Sequence, residues 1–237
     1  GTMIAVGFGG RVGRGRQRKD GMVRVYRWDG TSLHLLHEIR DSKQWISDLK
    51  FSPDGKSLAV GSHDNCMYVY SVVEHFALKA KFNKHNSYIT HFDFSADGAF
   101  LQSNCGAYEL LFWDLSSESS SQELVQIPSA RKLRDVNWHT WTCTLGWPVQ
   151  GIWPPCSDGT DINAVHRNHA GHLLATADDF GKVKVFRYPC VSKSSEYTEL
   201  SGHSSHVTNV RWMMGDGMLV STGGNDKSVM LWKVKAN

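Results

Sequence analysis

No run of this sequence approaches the roughly 18 consecutive apolar residues that a membrane-spanning helix needs, so no helical span is expected. Its first residues, Gly1-Thr2-Met3-Ile4-Ala5-Val6-Gly7, lack the basic start and long apolar core of a secretory leader. An excess of one charge is also missing: 26 Lys and Arg stand against 23 Asp and Glu. That balance gives no reason to expect nucleic acid or a membrane surface as partner. None of the five cysteines (Cys66, Cys105, Cys143, Cys156, Cys190) forms a Cys-x-x-Cys pair. They read as reduced, mostly packed thiols of a cytosolic protein. Heptads are absent, which excludes a coiled coil. Nucleotide loops are excluded too. Gly55-Lys56-Ser57 has Lys50 where a phosphate loop requires glycine, and Gly7-x-Gly9 lacks the third glycine of a dinucleotide fingerprint.

What is present favours strands. Nine tryptophans among 237 residues suit β-structure better than a helix bundle. The start of the chain reads as mid-domain, so a piece of a longer protein is expected. Two stretches repeat. Phe51-Ser52-Pro53-Asp54-Gly55 leads through Leu58–Asp64 to Met67-Tyr68-Val69-Tyr70, and Phe94-Ser95-Ala96-Asp97-Gly98 leads through Phe100-Leu101 to Leu110-Leu111-Phe112-Trp113. Each reads strand, Asp-Gly turn, strand, short turn, strand with a terminal aromatic, which is a β-meander. Terminal aromatics recur at Tyr26, Tyr70, Trp113, Phe186 and Trp232, with separations of 44, 43, 73 and 46 residues. Three of these fit the roughly 40–45-residue period of a propeller blade. The long one predicts a blade carrying an insertion of about 30 residues.

The last repeat carries the most specific pattern. Gly202-His203 precedes Val207–Trp212, Asp216-Gly217 precedes Met218–Thr222, and Asp226 lies six residues before Trp232. This resembles the WD40 repeat. The resemblance implies a hydrogen-bond network inside the blade made by His203, Asp226, Ser221 or Thr222, and Trp232. Such a network satisfies buried polar groups rather than performing chemistry. Asp64 lies six residues before Tyr70, Asp20 six before Tyr26, and Asp179 seven before Phe186, so Asp64 and Asp179 are assigned to equivalent networks. Ala107 stands at that place in the third repeat, whose network is therefore expected to be incomplete.

The expected fold is all-β: a single WD40-type β-propeller domain over residues 1–237, with about four and a half blades and therefore part of a larger propeller. Strands are predicted at Ile4–Phe8, Val23–Tyr26 and Leu33–Glu38, followed by blades over Ile46–Lys81 and Ile89 to about Gln126. An atypical blade with an insertion covers about 133–200, and Val207–Val234 forms the last.

The atypical stretch is the most individual. Arg134-Asp135-Val136-Asn137-Trp138-His139-Thr140-Trp141 runs through Gly146-Trp147-Pro148 and Ile152-Trp153-Pro154, and is followed by Leu174-Ala175-Thr176-Ala177-Asp178-Asp179-Phe180-Gly181 and Phe186-Arg187-Tyr188-Pro189. With Ser62-His63-Asp64-Asn65 and Ser221-Thr222-Gly223-Gly224, these blocks resemble the C-terminal propeller of echinoderm microtubule-associated protein-like proteins, from about Gly7 to Trp232. The resemblance implies a non-enzymatic scaffold of the cytoplasm and cytoskeleton that binds tubulin, microtubules or other cytoskeletal proteins. In that family tight microtubule attachment often depends on an N-terminal basic, coiled-coil region. Without heptads, this chain is expected to engage soluble tubulin or other partners. Fold alone also allows a generic WD40 adaptor for another multiprotein complex.

Residues 11–19 hold five cations, Arg11, Arg14, Arg16, Arg18 and Lys19, between two strands. They form either an electrostatic contact for an acidic partner or a solvated hairpin loop. His166, His169 and His172 read as surface and turn histidines rather than a metal site. Ser204, Ser205 and His206 suggest a Ser/His pair, but residues next to each other on a strand face opposite ways. Trp138, Trp141, Trp147 and Trp153 are assigned to packing rather than to an exposed binding face. Ser116 to Gln122 is a polar connector. No acid–base pair, metal set or activated nucleophile converges, so no enzyme activity, metal, cofactor or small-molecule substrate is expected.

Overall fold

In a computed structural model, residues 2–9, 20–116 and 126–234 are described. They build five antiparallel sheets and two short 3-10 helices. The chain divides into two compact units, Gly1–His139 and Thr140–Asn237.

The first unit holds three sheets. The first consists of β1 (Met3–Gly7), β2 (Val23–Trp28) and β3 (Leu33–Ile39). The second follows with β4 (Ile46–Phe51), β5 (Ser57–Ser62), β6 (Met67–Ser71) and β7 (Ala77–Phe82). The third contains β8 (Ile89–Phe94), β9 (Phe100–Cys105), β10 (Leu110–Asp114) and β11 (Gln126–Ile127). Every sheet is a meander in chain order. The Asp-Gly turns explain the folding back. Ser52 Oγ donates to Asp54 Oδ1 at 2.6 Å and accepts from Ser57 N at 2.9 Å, while Gly55 takes a φ of 71°. Ser95, Asp97 and Phe100 repeat this arrangement around Gly98. A left-handed residue beside a turn carboxylate suits a tight hairpin, and glycine adopts it without steric cost.

Neighbouring sheets of this unit share cores. Val23, Val25 and Ile39 pack with Leu58, Val60, Tyr68 and Tyr70. Met67, Val69 and Phe82 pack with Phe92, Phe94, Leu101 and Trp113. Phe82 and Trp113 stack with ring centroids 4.4 Å apart. The segment after the 3-10 turn Ala130–Leu133 bonds to the end of β8 and the turn that follows it. Ser95 bridges to Trp138, Ala96 N donates to Asn137 O at 2.7 Å, and His139 N donates to Phe94 O at 2.9 Å.

The second unit begins with irregular chain that includes the 3-10 helix Trp147–Ile152. Its two sheets are β12 (Ile162–Arg167), β13 (Leu173–Asp178), β14 (Lys182–Arg187) and β15 (Tyr197–Ser201), then β16 (Val207–Trp212), β17 (Met218–Gly223) and β18 (Val229–Lys233). Ala164, Ala175, Ala177 and Val183 pack against Val207, Val210, Trp212 and Leu219. The irregular residues lie before a regular four-stranded sheet rather than inside it. Trp141 is buried and donates from Nε1 to Cys143 O at 2.9 Å, and Trp153 Nε1 donates to Thr144 O at 3.1 Å. Trp138 and Trp141 are thus packed, whereas Trp147 is 67% exposed at the start of its helix.

Four first strands share one irregularity. Register shifts between Ile46 and Asp48, Ile89 and His91, Ile162 and Ala164, and Val207 and Asn209. The skipped residues are Ser47, Thr90, Asn163 and Thr208, each small and polar. A bulge after an apolar first residue is therefore part of the repeat, and it twists the strand at the same point in each sheet.

Candidate functional site

The fifth sheet carries the predicted network. His203 lies four residues before β16 and turns its ring inward, its side chain fully buried. Its Nε2 lies 2.7 Å from Ser221 Oγ, and Nδ1 lies 3.0 Å from Asp226 Oδ2. Trp232 Nε1 donates to the same Ser221 Oγ at 2.8 Å. Asp226 also accepts from Ser204 N and Ser228 N, each at 3.1 Å. Burial pushes the Asp226 carboxyl up, but these donors and His203 outweigh it and hold it below the usual carboxylate range. Of the two hydroxyls considered, Ser221 joins the network. Thr222 faces away and meets Thr208, Oγ1 to Oγ1, at 2.9 Å, as strand alternation requires.

The third sheet contains an equivalent network, which corrects the expectation drawn from Ala107. His85 Nε2 lies 2.7 Å from Ser103 Oγ, Trp113 Nε1 donates to Ser103 Oγ at 2.8 Å, and His85 Nδ1 lies 3.2 Å from Glu109 Oε2. The carboxylate comes from Glu109 at the entry to β10 rather than from the turn. Asn86 N donates to Glu109 Oε2 at 3.0 Å, as Ser204 N does to Asp226, and the Asn86 side chain bonds Oε1. Cys105 Sγ donates to Oε2 at 3.0 Å. The Asn86 N–H and the Cys105 thiol hold Glu109 down at about 2, whereas burial and Glu109 push the Cys105 thiol up. Burial lowers His85, with Glu109 acting in the opposite direction. The spacing signal was available: His85 precedes Ser103 by 18 residues, as His203 precedes Ser221.

The second sheet uses other residues again. Ser42 stands four residues before β4, where the third and fifth sheets have histidine. Its Oγ lies 2.6 Å from Ser62 Oγ and donates to Asp64 Oδ2 at 3.1 Å. Lys43 N and the Tyr68 hydroxyl donate to the same oxygen at 3.1 and 2.8 Å. These donors outweigh burial and hold Asp64 below the usual carboxylate range.

Asp179 sits differently from its assignment. It is exposed, and its Oδ1 accepts from Asn163 Nδ2 at 2.7 Å. The buried carboxylate of that turn is Asp178, which accepts from Phe180 N and Lys182 N and pairs with Lys184. Asp178 ends β13 opposite Ile162, the register place that Ser62 and Cys105 hold in their sheets, so the inward carboxylate lies on the strand and not on the turn. His166, expected at the surface, is buried, and its Nδ1 accepts from Trp212 N at 2.9 Å. His169 pairs with Asp216 at 2.7 Å, and His172 is exposed. Ser205 Oγ and His206 Nδ1 approach to 3.1 Å because they lie in the loop before β16, where strand alternation does not apply.

In the first unit an aromatic row crosses the loops beside β4, β5 and β8. Trp45 meets His63 at 5.4 Å between ring centroids, and His63 stacks on Tyr88 at 4.6 Å. Trp45 and Tyr88 are 49% and 43% exposed. The fit over Gly9 is close: a Cβ there would lie 2.8 Å from Trp45. The basic residues Arg11, Arg14, Arg16, Arg18 and Lys19 lie outside the described residues. The backbone flanking them is paired, with Phe8 N donating to Met22 O at 2.9 Å and Gly21 N to Phe8 O at 3.3 Å.

Comparison with known proteins places this geometry. The family described as "Echinoderm microtubule-associated protein second beta-propeller" matches residues 1–234. The chain is 46% identical over 214 residues to echinoderm microtubule-associated protein-like 1 of Mus musculus, covering 89% of this chain and 26% of that protein. It is 48% identical over 209 residues to echinoderm microtubule-associated protein-like 2 of Rattus norvegicus, covering 87% and 31%. With the 77 kDa echinoderm microtubule-associated protein of Strongylocentrotus purpuratus it shares 47% over 214 residues, covering 88% and 30%. The chain thus spans between a quarter and a third of the length of these relatives. Its repeated antiparallel meanders, their polar networks and these matches together show that the chain belongs to the echinoderm microtubule-associated protein family, as its second β-propeller.

Proposed function

We propose that this chain is a non-enzymatic scaffold of a cytoplasmic microtubule-associated protein, and that it binds tubulin or other cytoskeletal proteins through loops at its sheet ends. Membership of a family named for microtubule association carries this reading. Two features support it. Residues 11–19 concentrate five cations in a chain whose net charge is only +3, which suits an acidic protein segment. Beside the backbone that flanks them lies exposed Trp45, joined through His63 to exposed Tyr88, and these are residue types enriched at interface hot spots. The whole of 1–237 is read as one propeller domain fragment, with the polar networks serving as structure.

The test is a pull-down of soluble tubulin and cosedimentation with microtubules, using the chain and its Arg14→Ala, Arg16→Ala, Arg18→Ala triple variant. Tubulin binding that weakens as salt rises, and weakens at least about fivefold in the variant, is expected. No tubulin binding by the intact chain would remove the proposal. Affinity purification would then decide whether it is an adaptor of another complex.

A further inference from the structure

The third sheet brings together three groups that the fifth does not. An imidazole nitrogen of His85, Cys105 Sγ and a Glu109 carboxylate oxygen all lie within 4.8 Å of one another. The two contacts to Glu109 Oε2 are 3.2 Å from Nδ1 and 3.0 Å from Sγ. Ligand atoms around a four-coordinate zinc ion stand about 3.2–3.8 Å apart, given bonds of about 2.0–2.3 Å. The present separations are those of a site closed on its own protons, needing only small side-chain shifts. His85 and Cys105 are buried, and the Glu109 side chain, 24% exposed, opens the cluster to solvent.

We infer that His85, Cys105 and Glu109 form a zinc-binding site, with Nδ1, Sγ and a carboxylate oxygen as ligands and water in the fourth position. Imidazole, thiolate and carboxylate together suit zinc. In the metal-free state the Cys105 thiol donates to Glu109, as does His85 Nδ1–H, and Ser103 O–H donates to Nε2. Zinc replaces both donors: the thiol proton goes to solvent, and the ring ends with its single proton on Nε2. That N–H then donates to Ser103 Oγ, the outer bond that orients a metal-bound histidine. Moving the ring proton from Nδ1 to Nε2 makes the Ser103 hydroxyl rotate away, so one net proton is released per ion. The fifth sheet is the internal control. It has the same imidazole and a carboxylate but Gly223 in the place of Cys105, opposite the first residue of the sheet in both registers.

The experiment titrates the full chain with Co²⁺, then with Zn²⁺. One equivalent of Co²⁺ is expected to produce the near-ultraviolet charge-transfer band of a thiolate ligand, which Zn²⁺ removes. Cys105→Ser keeps a donor to Glu109, should fold as the parent does by circular dichroism, and should lose the band. Cys156→Ser, at an exposed cysteine, should keep it. Glu109→Gln should weaken binding at least about tenfold. Absence of the band in the parent chain, or its persistence in Cys105→Ser, overturns the site. Should Cys105→Ser fail to fold, labelling of the parent decides: Zn²⁺ must slow alkylation of Cys105, and unchanged alkylation overturns the site equally. None of these outcomes depends on tubulin binding.

Discussion

The third and fifth sheets solve one problem with different residues. Each buries a histidine between a serine and a carboxylate, and each lets a tryptophan share the serine. In the fifth, Asp226 on the turn supplies the carboxylate, and Ser228, four residues before Trp232, touches His203 Nδ1 at 2.9 Å. In the third, the turn has Ala107, and the carboxylate is Glu109, four residues before Trp113. Glutamate is one methylene longer, so it reaches the imidazole from Ser228's position. A third exchange completes the set. Any side chain at Gly223 would put its Cβ 1.7 Å from Asp226 Oδ1. With no carboxylate on the turn, the third sheet accommodates Cys105 there. Gly223, Asp226 and Ser228 thus correspond as a group to Cys105, Ala107 and Glu109. The bonding pattern, rather than any single residue, is what the blade requires.

The largest test of this equivalence removes the hub. His85→Ala and His203→Ala each leave a buried hydroxyl and a carboxylate without their shared partner. Both should lose about 2–4 kcal/mol in urea unfolding. A loss confined to one sheet would break the comparison. Next is the steric exchange. Gly223→Cys alone should lower Tm by about 5 °C or more, because Asp226 must swing away from His203 and two backbone donors. Adding Asp226→Ala and Ser228→Glu should recover most of that drop. If the triple variant melts no higher than the single one, the exchange is not a coupled set.

Acid tests the third sheet by itself. Burial lowers His85 from its ordinary 6.5, and Glu109 is held at about 2 against an ordinary 4.5. For both groups the unfolded chain takes up protons first as pH falls. The stabilisation is therefore complete above about pH 6.5, declines below it as histidine in the unfolded chain protonates, and declines again between 4.5 and about 2. Hydrogen exchange of the Trp113 amide across this range should show both steps, and Glu109→Gln should remove the lower one. The smallest effect belongs to Thr222→Ala, within about 0.5 kcal/mol, against about 1–2 kcal/mol for Ser221→Ala. Equal losses in urea would contradict the assignment of Ser221 alone to the network.

Strand positions were legible because alternation and Asp-Gly turns are local signals. The predicted Val23–Tyr26 and Leu33–Glu38 lie within Val23–Trp28 and Leu33–Ile39. The fifth network was legible because His203, Ser221, Asp226 and Trp232 keep the family spacing. The third was not legible because its carboxylate is a glutamate two residues beyond the turn position, where the spacing of a turn aspartate does not reach. Asp179 does not face inward because the buried carboxylate is Asp178 at the end of β13, a position that counting back from Phe186 does not pick out. Asp64 keeps its spacing and Ser42 keeps the place four residues before its strand, but the residue type there differs. Nothing local marks a serine as standing in for histidine. The aromatic row was missed because Trp45, His63 and Tyr88 come from three loops and meet only after the sheets pack.

The claim that these side chains act as single structural networks is tested most directly by double-mutant cycles in urea, Ser103→Ala with Trp113→Phe and Ser221→Ala with Trp232→Phe. Each pair should be non-additive by about 1 kcal/mol, because the shared hydrogen bond is lost only once. Losses that add to within about 0.3 kcal/mol in both sheets would contradict the account.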